Sequence, residues 1–212
     1  MSGQELTLPI SEVDSLSLGE LRQTHVPVGV FDMNQLMPGA DIGGFISLGF
    51  FKDTAFTIED QRKILTVETN ATLEKIKSTG ATVPIVVDQQ GVSVSIHMPP
   101  ILPNGKKISA AVDSGSQALI LHDRYMSDLK IQPDDKDVKR KQGKDETGHL
   151  FDRYFTKLKG PVQLPGYPNM NVDSINVMFQ KIIYDGLVGQ NFLRQFTITY
   201  DLKSSEIIFR KP

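Results

Sequence analysis

The sequence predicts a mostly β fold, and three observations support this class. The stretch "VSVSI" (92–96) alternates strictly between apolar and polar residues, as a half-buried strand does. The dipeptide Asn104-Gly105 is a strong signal for a hairpin turn. Short apolar runs are separated by glycines and prolines at intervals of about ten residues. With 212 residues and 39% apolar content, the chain is long enough for one large domain or two small ones.

Two short helices are expected among these strands. In "TNATLEKIKSTG" (69–80), Thr69 or Asn70 can cap a helix that ends at Gly80, with Leu73 and Ile76 on one face. A second, shorter helix is predicted within "HDRYMSDLKI" (122–131). Further strands are predicted at "SINVMF" (174–179), "FTITYD" (196–201) and "EIIFR" (206–210). The stretch "PDDKDVKRKQGKDE" (133–146) mixes charges and has almost no apolar residue, which predicts a solvated loop.

The composition gives no support to several classes of function. The formal net charge is −2, so nothing favours nucleic acid or an acidic membrane surface as a partner. The sequence has no cysteine, which excludes disulfides and thiolate metal sites. The four histidines, at 25, 97, 122 and 149, lack the spacing of metal ligands, so we expect no metal and no cofactor. No apolar run reaches the roughly 18 residues of a membrane span.

An internal repeat organises the chain. The stretch "GGFISLGFFKDTAFTIEDQRKILTV" (43–67) aligns without gaps on "DGLVGQNFLRQFTITYDLKSSEIIF" (185–209), at a constant offset of 142 residues. Upstream, "HVPVGVF" (25–31) matches "DSINVMF" (173–179). Residues 82–157 have no counterpart in the first copy. We therefore predict three parts: the later half of a first lobe (1–68), a linker helix (69–81) and one complete lobe (82–212).

The stretch "AAVDSGSQALIL" (110–121) places a carboxylate between two apolar runs. Aspartate is depleted in strands and costly to bury, which favours a functional reason for Asp113. Taken alone, an Asp-Ser-Gly turn is more often a tight turn with a bond from side chain to backbone. The repeat and the second glycine turn around Gly189 favour the functional interpretation.

These residues carry a resemblance to a family. "ISAAVDSGSQALIL" (108–121) resembles the active-site turn of aspartic peptidases of the pepsin and retropepsin type. "DGLVGQNFLRQFTITYD" (185–201) resembles the second signature of each lobe, in which two apolar residues and a glycine precede a pair of strands. The resemblance implies a closed, β-barrel-like acid protease lobe. It also implies a two-lobed protein of bacterial type whose first lobe is incomplete in this sequence.

The resemblance implies an aspartic endopeptidase that hydrolyses peptide bonds in an extended peptide or protein substrate. Asp113 would be the catalytic carboxylate, and Ser114, Gly115, Ser116 and Gly189 would shape and support its loop. In this mechanism two carboxylates share one proton, so that one group takes a proton from water while the other donates one. The family uses no cofactor.

Two departures from the family pattern leave alternatives open. Ser47 stands where the second copy has Gly189, and the sequence holds a single catalytic-type aspartate. The second carboxylate is expected from a missing segment ahead of Met1, or from a second chain in a retropepsin-like homodimer that pairs two Asp113 side chains. Asp14 and Asp41 are the next candidates within the chain. The alternative of another class is an inactive binding module that kept the groove.

Four further features concern a hairpin, a helix start, a glycosylation sequon and the location of the protein. Tyr154 and Phe155 are placed on a hairpin that overhangs the cleft, with core packing as an equal alternative. His122-Asp123 is interpreted as the start of a helix and not as a catalytic relay. A glycosylation sequon at Asn70 falls on the predicted linker helix and occurs easily by chance. The resemblance implies a secreted or periplasmic protein as often as not, although "MSGQELTLPI" has no signal-peptide pattern, so localisation stays open.

Overall fold

The computed structural model describes residues 9–32, 39, 41–144 and 150–212. Strands hold 47% of these residues and helices 12%, which confirms the predicted mostly β class. The strands are β1 (Ile10–Leu18), β2 (Leu21–Gly29), β3 (Phe56–Glu59), β4 (Ile64–Val67), β5 (Ala81–Pro84), β6 (Val86–Gln90), β7 (Ser93–Met98), β8 (Ala110–Val112), β9 (Leu119–His122), β10 (Lys139–Lys144), β11 (Leu150–Lys157), β12 (Val162–Leu164), β13 (Tyr167–Val172), β14 (Asn176–Gln180), β15 (Gly186–Val188), β16 (Thr197–Asp201) and β17 (Glu206–Arg210). The helical segments are a 3-10 helix (Leu48–Phe51), α1 (Asn70–Thr79), α2 (Tyr125–Asp128) and α3 (Gln190–Leu193).

An eight-stranded sheet carries most of the second part of the chain. Its strand order is β10-β11-β14-β9-β15-β8-β7-β6. The pairs β14–β9 and β15–β8 are parallel, and the other neighbours are antiparallel. Because β15 lies between β8 and β9, the turn that joins β8 to β9 has to cross the end of β15. The predicted closure of this lobe into a barrel stays a prediction.

A five-stranded sheet, in the order β4-β3-β16-β17-β5, joins the first part of the chain to the second. Strands β3 and β16 are antiparallel, with Thr57 opposite Thr199, and the two hydroxyl groups are 2.7 Å apart in a buried hydrogen bond. One aromatic pair crosses the same boundary, because Phe56, which stacks on Phe51 at 4.1 Å, also stacks on Tyr200 at 4.9 Å. The two parts therefore share one hydrophobic core.

Helix α1 (Asn70–Thr79) confirms that a helix forms between Thr69 and Gly80, as predicted. The Thr69 hydroxyl accepts a hydrogen bond from the Thr72 N–H, and the Thr72 hydroxyl accepts one from the Thr69 N–H, so the first turn is capped reciprocally. Gly80 ends the helix where a Cβ atom would lie 2.3 Å from the Ile208 side chain in β17. The absence of a side chain thus lets α1 end directly against the five-stranded sheet.

Predictions of a tight turn, a short helix and an alternating strand are also confirmed. The Asn104-Gly105 turn is present, with Gly105 at φ +81° and its N–H donating to the Leu102 carbonyl at 2.9 Å. The predicted short helix is α2, and the alternating stretch at 92–96 lies mostly in β7. No helix in the described part of the chain is long and apolar enough to cross a membrane.

The predicted loop at 133–146 is wrong in its second half, because β10 (Lys139–Lys144) is a strand paired with β11. This strand lies at the edge of the eight-stranded sheet, where charged side chains stay in water and protect the edge from unwanted pairing. Arg140 also bridges to Asp152 on β11 through two hydrogen bonds of 2.9 and 2.8 Å. Charge alone therefore did not distinguish an edge strand from a loop.

The upstream part of the repeat alignment is also wrong. Residues 25–29 lie in β2, which pairs with β1 in a separate two-stranded sheet. Residues 176–179 lie in β14, which sits between β9 and β11 in the eight-stranded sheet. A hairpin of β12 and β13 precedes β14 in the second part, and the apolar similarity of two unrelated strands produced the match.

Candidate active site

Asp113 lies immediately after β8, where the turn towards β9 begins. Its backbone N–H donates to the Val188 carbonyl at 3.0 Å, so the pairing with β15 continues into the turn. The Ser116 N–H closes the turn on the Asp113 carbonyl at 3.2 Å, and the Gly115 N–H donates to Asp113 Oδ1 at 2.8 Å. The carboxylate is therefore held by the backbone of its own turn, at the end of a paired strand and half-exposed to solvent.

Helix α3 holds the far side of this turn. The Gln190 N–H donates to the Ser116 carbonyl at 2.8 Å, and the Asn191 N–H donates to the Gln117 carbonyl at 3.0 Å. The Gln190 side chain adds a bond from Nε2 to the Ser114 carbonyl at 3.0 Å. The carbonyls of Ser114, Ser116 and Gln117 are thus satisfied by the first two residues of one helix, which holds the turn in place.

Gly189 lies beneath the turn, at a point with no room for a side chain. A Cβ atom there would come within 2.3 Å of the Ala118 carbonyl oxygen and 2.6 Å of the Ser116 carbonyl oxygen. Both are backbone atoms and cannot swing away. Gly115 has more space, since its Cβ would lie 3.1 Å from Asp113 Oδ1. The structure therefore brings Gly189 and the 113–116 turn together.

The two serines of the turn have different surroundings. Ser114 is exposed together with Gly115, whereas Ser116 is half-buried and its hydroxyl lies 3.4 Å from the Ala118 carbonyl. The exposed edge of the turn is the side available to a second loop.

An apolar cluster on the other face of the eight-stranded sheet was missed by sequence reasoning. It consists of four buried side chains packed on one another, which we call the second cluster: Ile120, Met178, Ile182 and Leu187. The neighbouring residues on the same strands, such as Leu121 and Val188, face the main core instead. Strands that are apolar on both faces signal this arrangement, because a strand with one wet face would alternate.

The second cluster lies on the side of the sheet towards which Asp113 is directed. Ala111 in β8 is the register partner of Leu187 in β15, and register partners in a parallel pair share a face. Side chains alternate along a strand, so Asp113 continues the face of Ala111. The carboxylate and the apolar cluster are therefore on one face of the sheet.

Tyr154 and Phe155 lie on β11, which forms a hairpin with β10. Tyr154 packs against the main core, whereas Phe155 packs against the second cluster. An open pocket of about 490 Å³ lies beside this hairpin, with Ala118, Phe155 and Met178 among its lining residues and none of residues 113–116. Another pocket, of about 430 Å³ around Asp128 and Leu158, shares no residue with the Asp-Ser-Gly turn.

A polar network fixes the segment before β15, and it too was missed. Asp185 accepts a hydrogen bond from the Ser109 N–H at 3.1 Å and pairs with Arg124. Burial by itself raises the pKa of Asp185, but the Ser109 N–H, Tyr125 and Arg124 outweigh it and hold the pKa below its usual value. The carboxylate is thus ionised, and it links the segment before β8 and the region of α2 to the start of β15.

The remaining candidates lie in structural surroundings. His122 Nδ1 is 2.8 Å from Asp123 Oδ1 directly ahead of α2, which agrees with a helix start. Asp14 is exposed on β1, and Asp41 is exposed ahead of the 3-10 helix. No group of three potential metal ligands occurs in the residues that the structure describes. His149 and the start at Met1 lie outside the described residues.

Ser47 occupies in the first part the place that Gly189 occupies in the second. It precedes the 3-10 helix (48–51) directly, as Gly189 precedes α3 (190–193). Both backbones are extended at this position, with φ −88° for Ser47 and −103° for Gly189. The serine is exposed, so its side chain meets no crossing turn comparable to 113–118.

Comparison with family models and with curated sequences gives no match. Among solved structures, a retropepsin-like aspartic protease from Rickettsia conorii is similar over 61% of this chain and 98% of its own, with 16% identity and a TM-score of 0.45. Basic 7S globulin from soybean is similar over 74% of this chain and 52% of its own, with 11% identity and a TM-score of 0.43. The chain therefore spans about half the length of the soybean globulin.

Proposed function

We propose that residues 82–212 form the catalytic lobe of an aspartic endopeptidase in which Asp113 is one of two carboxylates that share a proton. The observation that carries this proposal is the Asp113 turn itself. It crosses the end of β15, lies over Gly189 and directs the Gly115 N–H at the carboxylate at 2.8 Å. A turn needed only for chain reversal would not require a glycine from a distant part of the chain, at the start of α3, to make room for it.

The chemistry requires a second carboxylate about 3 Å from the first, because two such groups cannot both ionise at that distance. The ionised member takes a proton from water while the protonated member donates to the carbonyl oxygen of the peptide bond. The apparent pKa values then belong to the pair. The exposed side of Ser114 and Gly115 is where a second Asp-containing turn would approach.

The second cluster supports an extended peptide as the substrate. A chain laid across the sheet beside Asp113 would meet the half-buried Ala118, Phe155 and Tyr184, which pack against the buried second cluster. Burying an apolar side chain there contributes roughly 25 cal/mol per Å² of area removed from water. We therefore expect cleavage next to apolar residues.

The proposal includes the division into a later half lobe (1–68), a linker helix (69–81) and a whole lobe (82–212). Two features support it. The 3-10 helix and α3 occupy matched positions, 142 residues apart, as do Thr57 and Thr199. The bond between those two threonines marks the place where an approximate two-fold axis would pass.

The arrangement argues against a retropepsin-like homodimer through this axis. In such a dimer the β16 strands of two copies would pair, but in this chain β3 already pairs with β16 along its length. The second carboxylate is therefore expected from a further segment that completes the first lobe. An inactive binding module remains the second candidate, and Ser47 in place of a glycine favours it.

Peptidase assays on the product of the complete reading frame test the proposal. We expect hydrolysis of an unfolded protein and of quenched fluorescent peptides with apolar residues at the cleaved bond, measured between pH 3 and pH 7. Pepstatin, a mimic of the transition state of this class, should block it. Turnover that pepstatin does not affect, or no turnover at any pH, would favour the binding module.

A further inference from the structure

The hairpin of β10 and β11 carries more positive charge than it can neutralise itself. Four cationic residues belong to β10 and two to β11, whereas Asp152 is the one acidic residue of the two strands. Arg140 takes this carboxylate in a pair of hydrogen bonds. The other cations of the hairpin are not needed for that bridge.

The register places four of the cations on one face of the hairpin. Lys139 lies opposite Phe155 and Lys141 lies opposite Arg153, and residues directly opposite in an antiparallel pair share a face. Lys157 follows Phe155 by two residues, so it belongs to the same face. We call these four residues the basic face: Lys139, Lys141, Arg153 and Lys157.

The charge of the basic face is uncompensated. Arg140 and Asp152 alternate with its members along the strands, so their bridge lies on the opposite face. Within the part of the chain that the structure describes, no carboxylate lies at ion-pair distance from any of the four cations. The three lysines are exposed, so their charges are available to a ligand.

Aromatic rings lie among these cations. Lys141 Nζ is 5.8 Å from the centre of the Phe155 ring, and the Arg153 guanidinium is 4.7 Å from the centre of the Phe151 ring. The Phe151 ring crosses the hairpin at Gly143, where a Cβ atom would lie 2.6 Å from it. The face therefore offers positive charge and apolar surface side by side.

The basic face borders the open pocket of about 490 Å³. Lys139 and Lys157 line this pocket together with Phe155, and Ala118 lines it from the segment that follows the Asp113 turn. The pocket therefore connects the basic face with the segment that carries the candidate catalytic carboxylate.

Protection of the sheet edge does not explain the whole face. Lysines on an edge strand prevent unwanted pairing, which accounts for the two lysines of β10. Arg153 and Lys157 lie on β11, which is paired with β10 and β14 and is not an edge. Asp137, the carboxylate among the residues that line the pocket, lies 4.0 Å from Lys159, so its charge is matched outside the basic face.

We propose that the basic face binds an acidic segment of an extended peptide, with a glutamate or aspartate carboxylate beside Lys139 and Lys141 and an apolar side chain against Phe155. The choice of a peptide rests on the proposed function, whereas the preference for negative charge does not require hydrolysis. Charge complementarity supports this occupant, because exposed cations without partners attract carboxylates and the neighbouring rings keep water away from them.

Binding of labelled peptides to the 212-residue chain tests the proposal without catalysis. Fluorescence anisotropy compares two peptides of equal length, one with two glutamates beside a Phe-Leu pair and one with two glutamines there. We expect the acidic peptide to bind at least about fivefold more tightly at low salt, and the difference to shrink in roughly 0.5 M sodium chloride. Equal affinity of the two peptides, or no binding of either, would overturn the proposal.

Substitutions locate the charge that is responsible. Lys139→Gln combined with Lys141→Gln should reduce the preference to less than about twofold, whereas Lys141→Arg alone should retain it. Lys75→Gln combined with Lys203→Gln removes the same charge from exposed positions on α1 and on the turn after β16, and this control should keep the full preference. A preference that persists without Lys139 and Lys141 would contradict the basic face.

Two further outcomes separate this inference from its alternatives. A single-stranded DNA oligonucleotide should bind less tightly than the acidic peptide, because it has no apolar side chain to place against Phe155. Tighter binding of the oligonucleotide would overturn the proposal in favour of nucleic acid. Charge-dependent binding in a protein that hydrolyses neither peptide would leave the inference intact and count against the proposed function alone, whereas hydrolysis of both peptides with equal affinity would do the reverse.

Discussion

At the scale of single residues, Asp113 and Asp185 are carboxylates with different surroundings on neighbouring strands. Asp185 pairs with Arg124 and accepts the Ser109 N–H, so it is fixed in the ionised form. Asp113 accepts the N–H of Gly115 within its own turn and is half-exposed to solvent. Asp185 therefore holds a loop in place, whereas the Asp113 carboxylate is accessible to a ligand.

In the product of the complete reading frame, replacement of Asp113 by asparagine should abolish hydrolysis and leave the fold intact. The amide retains the shape and can still accept the Gly115 N–H, but it cannot take a proton from water, so turnover should fall at least about 100-fold. Asp53→Asn, at an exposed position before β3, is the matched control and should keep full activity. Initial rates and circular dichroism check both variants, and full turnover by Asp113→Asn would place the chemistry elsewhere.

Gly189→Ala should disturb the turn of Asp113 from below. The new methyl group would meet two carbonyl oxygens of the turn at 2.3 and 2.6 Å, so the backbone has to move, at a cost of about 3 kcal/mol in the free energy of unfolding. Gly43→Ala is the control, since nothing lies within 4 Å of its added carbon. Denaturation in urea measures both, and equal stability of the two variants would refute the crowding beneath the turn.

At the scale of elements, sequence reasoning succeeded where local signals and packing agree. The caps of α1, the Asn104-Gly105 turn and the strands β16 and β17 follow from short patterns that the structure retains. Sequence reasoning failed where pairing with another strand determines the local structure. Strand β10 is polar and forms only because β11 pairs with it, and 25–31 resembles 173–179 although the two strands pair with different neighbours.

The candidate site shows the same division. The turn at 113–116 and Gly189 were found because each has a recognisable pattern. The second cluster and the network around Asp185 bring together residues from several strands and have no local signature. Their positions follow from the insertion of β15 between β8 and β9, which the sequence does not state.

The link between α1 and the five-stranded sheet makes a prediction about pH. Lys77 Nζ lies 2.8 Å from Asp201 Oδ2 and 2.8 Å from Glu206 Oε2. Burial raises the pKa of Asp201, but Lys77 and Ser204 outweigh it, so the pKa is below its usual value. A lowered pKa means that the stabilisation is complete above the ordinary carboxyl value of about 4 and is lost as the pH falls through the folded value.

We therefore expect the free energy of unfolding to decrease on acidification below about pH 4. Lys77→Met should lower it by about 2 kcal/mol at pH 7 and should flatten the decrease in acid. Lys75→Met, an exposed neighbour on α1, is the control and should change little. Urea denaturation at pH 7, 4 and 3 measures these effects, and an unchanged acid profile in Lys77→Met would contradict this account of the link.

At the scale of the whole molecule, the two parts of the chain differ in how well their apolar strands are paired and buried. The central strands β9, β14, β15 and β17 of the second part are mostly buried, whereas Phe45, Ile46 and β4 in the first part are exposed. Exposed apolar residues beside an unpaired strand edge favour association.

We expect the isolated 212-residue chain to self-associate as its concentration rises. The substitution Leu65→Asp should reduce this association, and sedimentation velocity measures both proteins. If Leu65→Asp does not change the association, the associating surface does not include β4.

The central claim is that Asp113 is one half of a carboxylate pair whose other half is not in the described part of this chain. The most direct test separates the 212-residue chain by size-exclusion chromatography and assays each fraction for peptide hydrolysis with and without pepstatin. The account predicts no turnover in the monomeric fraction, because a lone carboxylate cannot serve as both acid and base. Robust pepstatin-sensitive hydrolysis by a strictly monomeric fraction would contradict it and would direct attention to Asp14 and Asp41.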